Sequence, residues 1–420
     1  MADTYIDLPN KIDLLGKSRG AGAEELRRHN LSTVLEQVHL AGPQSRSQLT
    51  STTGLNRSTI GDLISELTTL GLVGEGPGQA PTGPGRPSPL VSPRPEGAEV
   101  LAVELSVDSI AVATVGLGGH FFNEVRVARP RERFSPEQTV RDVVKLAQPL
   151  LAALPDPSAM AGVGVGVVGL TRRSDGFVHL APNLGWRDVP LGAMLAEGLG
   201  TPVTVQVAND ADLGALAEHR RGVGIGVGDL IYLSGEAGIG AGIMHNGAPM
   251  LGSAGFAGEA GHTLIHPKGQ RCRCGATGCW ETEAGEAALI RLTGLRLTGQ
   301  SLLDAVLARA EASDERTLHA LDEIGRWLGL GIGNLINLFN PELIVLGGFF
   351  HVLASYLEET INETAKTAAL RAPRALARIT AGGLGPDAVL IGAAELALTG
   401  VIADPAGAKR SSAMSSALGG

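Results

Sequence analysis

From Ala23 onward, apolar residues recur at helical spacing, with Leu31, Val34, Leu35, Val38 and Leu40 forming one stripe. A turn at Gly42-Pro43 follows, then a short segment over Ser47–Thr53, then Gly54-Leu55. Asn56 is placed to cap the next helix, where Ile60, Leu63, Ile64, Leu67 and Leu70 make a second stripe that Gly71 ends. Gly74–Pro95 is dense in glycine and proline and predicts a loop or linker, neither helix nor central strand. From Val100 the texture becomes α/β. Buried strands are predicted at Val100–Leu105, Ile110–Val115, Gly162–Val168, Val203–Val207, Leu230–Leu233 and Leu343–Leu346. Helices are predicted at Val140–Leu154, Asp210–Arg221, Ser301–Ala312 and Leu318–Phe339. The α/β part is long enough for two lobes of similar design.

Length and composition narrow this picture. A chain of 420 residues exceeds one ordinary core, so two or three domains are expected. Its 59 glycines point to many tight turns or close backbone approaches. The N-terminus carries Asp3 and Asp7 and no basic-then-apolar leader. The longest apolar stretch, near Ala161–Leu170, is broken by glycine and falls short of the roughly 20 residues of a membrane span. A cytoplasmic protein without a membrane partner is therefore expected. Flexible tails are expected at residues 1–22 and 403–420.

Three helices with a tight turn before the third, followed by a Gly/Pro loop, have the layout of a winged helix-turn-helix. In that layout Arg57, Ser58 and Thr59 stand at the N-terminal end of the third helix, the part that meets base edges in a major groove. Arg46 lies close by, and Arg86, between glycine and proline, could enter a minor groove from the wing. The net charge of −9, and nine basic against ten acidic residues in 1–97, show that no basic domain is present. A three-helix packing or dimerisation module would share the pattern. Double-stranded DNA is favoured mainly on the helix lengths and the Gly-Arg wing, and the positive residues concentrate where contact is expected.

All three cysteines fall within Cys272–Cys279, and His262 lies just upstream in GHTLIHPKGQRCRCGATGCWE. One imidazole and three thiolates can close a tetrahedral Zn²⁺ shell with no open position, which suits a structural ion. His266 is a competing imidazole. Two further strings carry chemistry. Asn209-Asp210 follows an apolar strand and begins a helix, so Asp210 can take a hydroxyl proton while Asn209 bonds neighbouring hydroxyls. Glu259 and His262 are three apart and would share a face, and Glu281 follows Cys279 closely. Carboxylates with an imidazole suit a polyol.

Together these strings, with Phe339–Gly348, resemble the ROK family of repressors, open reading frames and sugar kinases across essentially the whole chain. The resemblance implies an actin-like fold of the sugar kinase/Hsp70/actin type: α/β, two-lobed, ribonuclease H-like, preceded by an all-α winged helix-turn-helix. It implies a sugar held by Asn209, Asp210, Glu259, His262 and Glu281, and zinc on His262, Cys272, Cys274 and Cys279. Asp210 matches the kinases' catalytic base. A leading DNA-binding head is what the family's repressors have and its kinases lack. The expected domains are 23–80 for the head, 81–97 for the wing and linker, 98–212 with 386–402 for lobe 1, and 213–385 for lobe 2.

The departures bear on activity. Where the kinases carry a glycine-rich phosphate loop, this chain has Glu104-Leu105-Ser106-Val107-Asp108, and the second loop, Ser234–Gly240, adds Glu236. A β-branched residue blocks close approach, and the acids repel a triphosphate. Phosphoryl transfer depends on phosphate positioning, so ATP is not expected as a cofactor. The expectation is a regulator, commonly a repressor relieved by a sugar or sugar phosphate, working as a homodimer or homotetramer. The alternative is an active or bifunctional ATP-dependent sugar kinase.

Overall fold

The structure, a computed structural model, describes residues 22–77, 89–154 and 160–407. Most of the expected tails, and Arg86, lie outside the described residues.

The head opens with three helices, Ala23–Ala41, Arg46–Thr53 and Arg57–Thr69. Each start has a local cause. Ser45 and Gln48 form a reciprocal capping box, and the Asn56 side chain accepts the Thr59 N–H at 2.9 Å. The apolar stripes face inward, with Leu31, Val34, Leu35, Val38, Ile60, Leu63, Ile64 and Leu67 all buried. At the end of the first stripe the structure differs from the pattern: His39 is fully buried, and Leu40 is only half-buried.

The Gly/Pro segment is not simply a loop. Val73–Gly76 and Leu90–Pro93 are strands, and Leu90–Pro93 is the central strand of a three-stranded sheet, flanked by Gln44–Ser45 and Val73–Gly76. Pro93 is tolerated because it closes the strand, where a missing N–H costs least. A 3₁₀ turn at Pro95–Gly97 then leads straight into the first body strand, Glu99–Leu105.

Two five-stranded sheets form the body. Along the first lie Val205–Asn209, Met160–Val167, Glu99–Leu105, Ser109–Gly116 and His120–Ala128. The second holds Arg378–Ala381, Leu343–Gly348, Leu230–Gly235, Ile239–His245 and Ala248–Pro249. Each sheet has three parallel strands and then an antiparallel meander, in the same chain order. The repeated topology is the internal duplication of an actin-like body. The buried strands are mostly apolar runs, which is why they were legible, although Glu99–Leu105 also carries two buried glutamates.

Helices Asp210–Arg221 and Ala388–Ala403 pack on each other between the sheets. Part of the glycine content is spent there: a Cβ on Gly164 would stand 1.9 Å from the Ala393 carbonyl oxygen. Among the described residues one helix, Gly385–Ala403, is long and apolar enough to cross a membrane by length and composition, but 67% of it is buried in the body. This helix runs to Ala403, the residue where a tail was expected to begin. Its apolar surface is continuous with the head. Leu31, Val34 and Val38 belong to one core cluster with Val100, Leu390, Ala393, Ala397 and Val401.

Candidate functional site

Between the lobes lies a cavity of about 230 Å³. Strand Val205–Asn209 ends at its floor, so Asn209 and Asp210 stand at the C-terminal end of a parallel strand, the usual ligand position in such sheets. Asn209 also caps its own helix. Its Oδ1 accepts the Ala211 and Asp212 N–H groups at 2.8 and 3.3 Å, while its Nδ2 donates to the Gly169 carbonyl at 3.0 Å. One amide proton is left for a ligand, fewer contacts than the sequence suggested.

Glu259, His262 and Glu281 line the same cavity. Ala260–His262 is a 3₁₀ turn that sets His262 Nε2 3.9 Å from Glu259 Oε2, with its Nδ1 3.7 Å from Glu281 Oε1. The structure thus brings together all five residues expected at a sugar. Burial pushes the Asp210 carboxyl up to about 7, with help from Glu104 and Glu259 and against the backbone N–H groups that favour its charge. Burial raises Glu259 as well, offset in part by His262. Asp212, two residues further along the helix, is raised to about 7 by burial despite Arg173. Protonated carboxyls donate as well as accept, which matches hydroxyl groups on both sides.

The ligand atoms of His262, Cys272, Cys274 and Cys279 all lie within 4.8 Å of one another. His262 Nδ1 is 3.6 Å from Cys272 Sγ, and Cys274 Sγ is 3.7 Å from Cys279 Sγ. Edges of a tetrahedron built on bonds of about 2.0–2.3 Å have this size, so the donor set fits a tetrahedral ion. The loop is shaped for it. Gly278 has φ +79°, and a Cβ there would meet the His266 carbonyl at 1.8 Å. His266 stands apart, stacked on Trp327 and 3.5 Å from Glu283.

Acids gather on the two loops, Glu104–Asp108 and Ser234–Gly240, that correspond to the kinases' phosphate loops in the sequence reading. Ser106 Oγ is 3.4 Å from both Asp108 Oδ1 and Glu236 Oε2. Glu236 sits on a hairpin turn, and burial with Asp210, Glu104 and Asp108 raises its carboxyl well above the usual range. Glu104 is buried too, its rise opposed by the Arg126 guanidinium 2.9 Å away. Gly235, at the end of its strand, is covered by Phe349 and Phe350. Those two phenylalanines escaped the sequence reading, since a continuing apolar run after a strand gives no signal of its own.

Further contacts across the cleft were also not legible. Arg273 of the metal loop donates to Asn183 Oδ1 at 2.7 Å, and Arg131 bridges Asp108 at 3.1 Å and Glu286 at 2.5 Å. Each pairs residues more than 20 positions apart, at least one of them in a loop.

On the head, Arg57 and Ser58 are exposed and Thr59 is half-buried. Ser58 Oγ donates to Asn56 Oδ1 at 2.7 Å, which leaves its lone pairs free. Arg46 is not free: its Nε donates to Glu75 Oε1 at 2.7 Å, tying the second helix to the wing strand.

The ROK family model matches residues 100–399. The chain belongs to the ROK family. Within this family it is similar to the xylose repressor of Bacillus spizizenii, 32% identical over 76% of this chain and 82% of that one. It is also similar to the glucokinase of Halalkalibacterium halodurans, 36% identical over 56% of this chain and 75% of that one. A solved ROK transcriptional regulator, a homologue of the E. coli MLC protein, superposes with TM-score 0.75 at 25% identity. It covers 92% of this chain and 98% of its own. The glucokinase likeness spans a shorter share of the chain than the regulator likeness does. The ROK fold therefore accounts for the body, and the likeness to the solved regulator, which covers 92% of this chain, extends over the head as well.

Proposed function

We propose that this chain is a sugar-responsive DNA-binding transcriptional repressor whose kinase-like body senses a sugar without phosphorylating it. The observation that carries the proposal is a three-helix head with an exposed third-helix N-terminus, sharing one apolar core with the body that holds the carboxylate-lined cleft. In this reading residues 23–80 with the wing form the head, 98–212 with 386–402 form lobe 1, and 213–385 form lobe 2. Asn209, Asp210, Glu259, His262 and Glu281 hold the sugar hydroxyls. Arg57, Ser58 and Thr59 face the operator, and Arg86, outside the described residues, is assigned to it as a further contact. Arg46 has the lesser role of bracing the wing through Glu75.

A structural Zn²⁺ on His262, Cys272, Cys274 and Cys279 fits the donor set. Zinc held there through His262 Nδ1 would leave the Nε2 proton facing Glu259 and the cavity, so the tautomer that meets a hydroxyl would be fixed. The acids Asp108 and Glu236, with Phe349 and Phe350 over Gly235, argue against a bound triphosphate, and this outweighs the retained Asp210. The protein works in the cytoplasm as a homodimer or homotetramer, so that two heads reach two half-sites.

The experiment has two arms. A thermal-shift screen of D-xylose, D-glucose, N-acetylglucosamine and their phosphates identifies the ligand, since binding only the folded state raises its stability. Retardation of the gene's own upstream DNA, with and without that ligand, then tests response. ATP-dependent turnover of a hexose, abolished by Asp210→Asn, would overturn the non-catalytic part.

A further inference from the structure

Where the head meets the body, a buried polar hub interrupts the shared apolar core. His39 ends the first helix and is fully buried, and Glu395 on helix Ala388–Ala403 is 1% exposed. His39 Nε2 lies 3.1 and 3.2 Å from the two Glu395 oxygens. His39 Nδ1 accepts the Gly118 N–H at 2.9 Å, which leaves the ring proton on Nε2, aimed at Glu395. Arg221 Nε donates to Glu395 Oε1 at 2.7 Å and Arg220 to Oε2 at 3.2 Å. Arg221 also donates to the carbonyls of His39 and Gly118, both at 3.1 Å, and Arg220 stands 3.6 Å from Glu36 of the head.

Arg220 and Arg221 are the last residues of the helix that begins at Asp210. Twelve residues at 1.5 Å each make a rod about 18 Å long, with one end in the sugar cleft and the other in this hub. We propose that the hub of His39, Glu395, Arg220 and Arg221 is the joint through which occupancy of the cleft sets the orientation of the DNA-binding head. The proposal rests on the sensing role given above to the cleft.

Docking alone did not need these groups. The surrounding Leu31, Val34, Leu390 and Ala397 already supply apolar contact. A carboxylate enclosed this fully adds geometric demand more than stability, because every partner must be in place. The Arg221 NH2 group lies 2.6 Å from His39 Nε2, a donor beside a donor, and Glu395 between them makes that contact tolerable. A small shift of the helix end therefore breaks several bonds at once instead of stretching one. Burial alone would raise Glu395, but His39, Arg221 and Arg220 outweigh it and hold the carboxyl at about 2, so it stays charged.

The test uses the full chain and two variants, Glu395→Gln and the milder Arg221→Lys, each first checked for cooperative melting. Genetically encoded distance labels at exposed Leu26 in the head and exposed Lys145 in the body report orientation without any ligand. A single narrow distance is expected for the native chain and a broadened or shifted one for both variants; an unchanged distribution overturns the joint. The second arm measures affinity for the upstream DNA with and without D-xylose. The variants should keep D-xylose affinity within about twofold yet lose most of its effect on DNA binding, and an undiminished effect overturns the proposal. If D-xylose leaves the native chain's DNA affinity unchanged, the sensing role fails for that sugar, and the distance arm alone decides the joint.

Discussion

Asp210 and Glu395 are both enclosed carboxyls, and their surroundings drive them in opposite directions. Asp210 is raised to about 7, so the folded state binds its proton more tightly than the unfolded chain. Its contribution is favourable at low pH and is lost as pH climbs from about 4 through 7. Glu395 is depressed to about 2, so its contribution is intact above about 4.3 and lost as pH falls toward 2. Asp210→Asn should therefore raise the melting temperature at pH 8 and change it little at pH 4, as calorimetry at the two values would show. Acid unfolding between pH 4.3 and 2 should be blunted in Glu395→Gln, which starts from lower stability at neutral pH. At the metal loop, Cys274→Ser removes one of four donors; bound zinc, measured by mass spectrometry, should fall below one per chain. Sugar affinity should fall with it, because His262 and Glu281 lose their anchor.

Among the elements, strands and helices with a single strong period were legible from the chain. The strands that were read are mostly apolar, whereas His120–Ala128 and Arg378–Ala381 carry polar and charged positions and were not read. Helix Asp210–Arg221 was read from the chain, but Ala388–Ala403, buried on nearly every face, has no amphipathic period and was not. The wing was not legible, because glycine and proline at its ends masked a four-residue strand whose pairing partner, Gln44–Ser45, is remote. His39 was overlooked for a related reason. It sits four residues after Leu35 on the inward face, but the pattern was followed through apolar residues only. The five cleft residues were found because carboxylates beside a strand end and a cysteine cluster are chemically distinctive. Arg131, Arg273 and Glu395 had no such mark, since a lone charge signals burial only when its partner is known. Tight helix-on-sheet contact gives a prediction at this scale. Gly164→Val would drive a side chain into the Ala393 carbonyl and should destabilise the body by about 1–3 kcal/mol or more, read from denaturant midpoints.

For the whole molecule, the arrangement is a head, two five-stranded sheets with helices between them, and one continuous core joining the head to the first sheet. Arg57→Ala should weaken upstream-DNA binding by about tenfold, in line with ~1–3 kcal/mol for a good base contact, and leave sugar affinity unchanged. A reduced salt dependence would instead assign Arg57 to a phosphate. The central strand of the head's sheet, Leu90–Pro93, has a consequence for how the protein comes apart. It lies on the body side of residues 78–88, and in the fold it is inserted between Gln44–Ser45 and Val73–Gly76. A protease site engineered between Pro77 and Ser88 should cut the backbone yet release nothing, leaving two fragments that co-elute as one particle. The head is thus less a passenger tethered to a sensor than a piece dovetailed into it, and separating the two requires unfolding one of them.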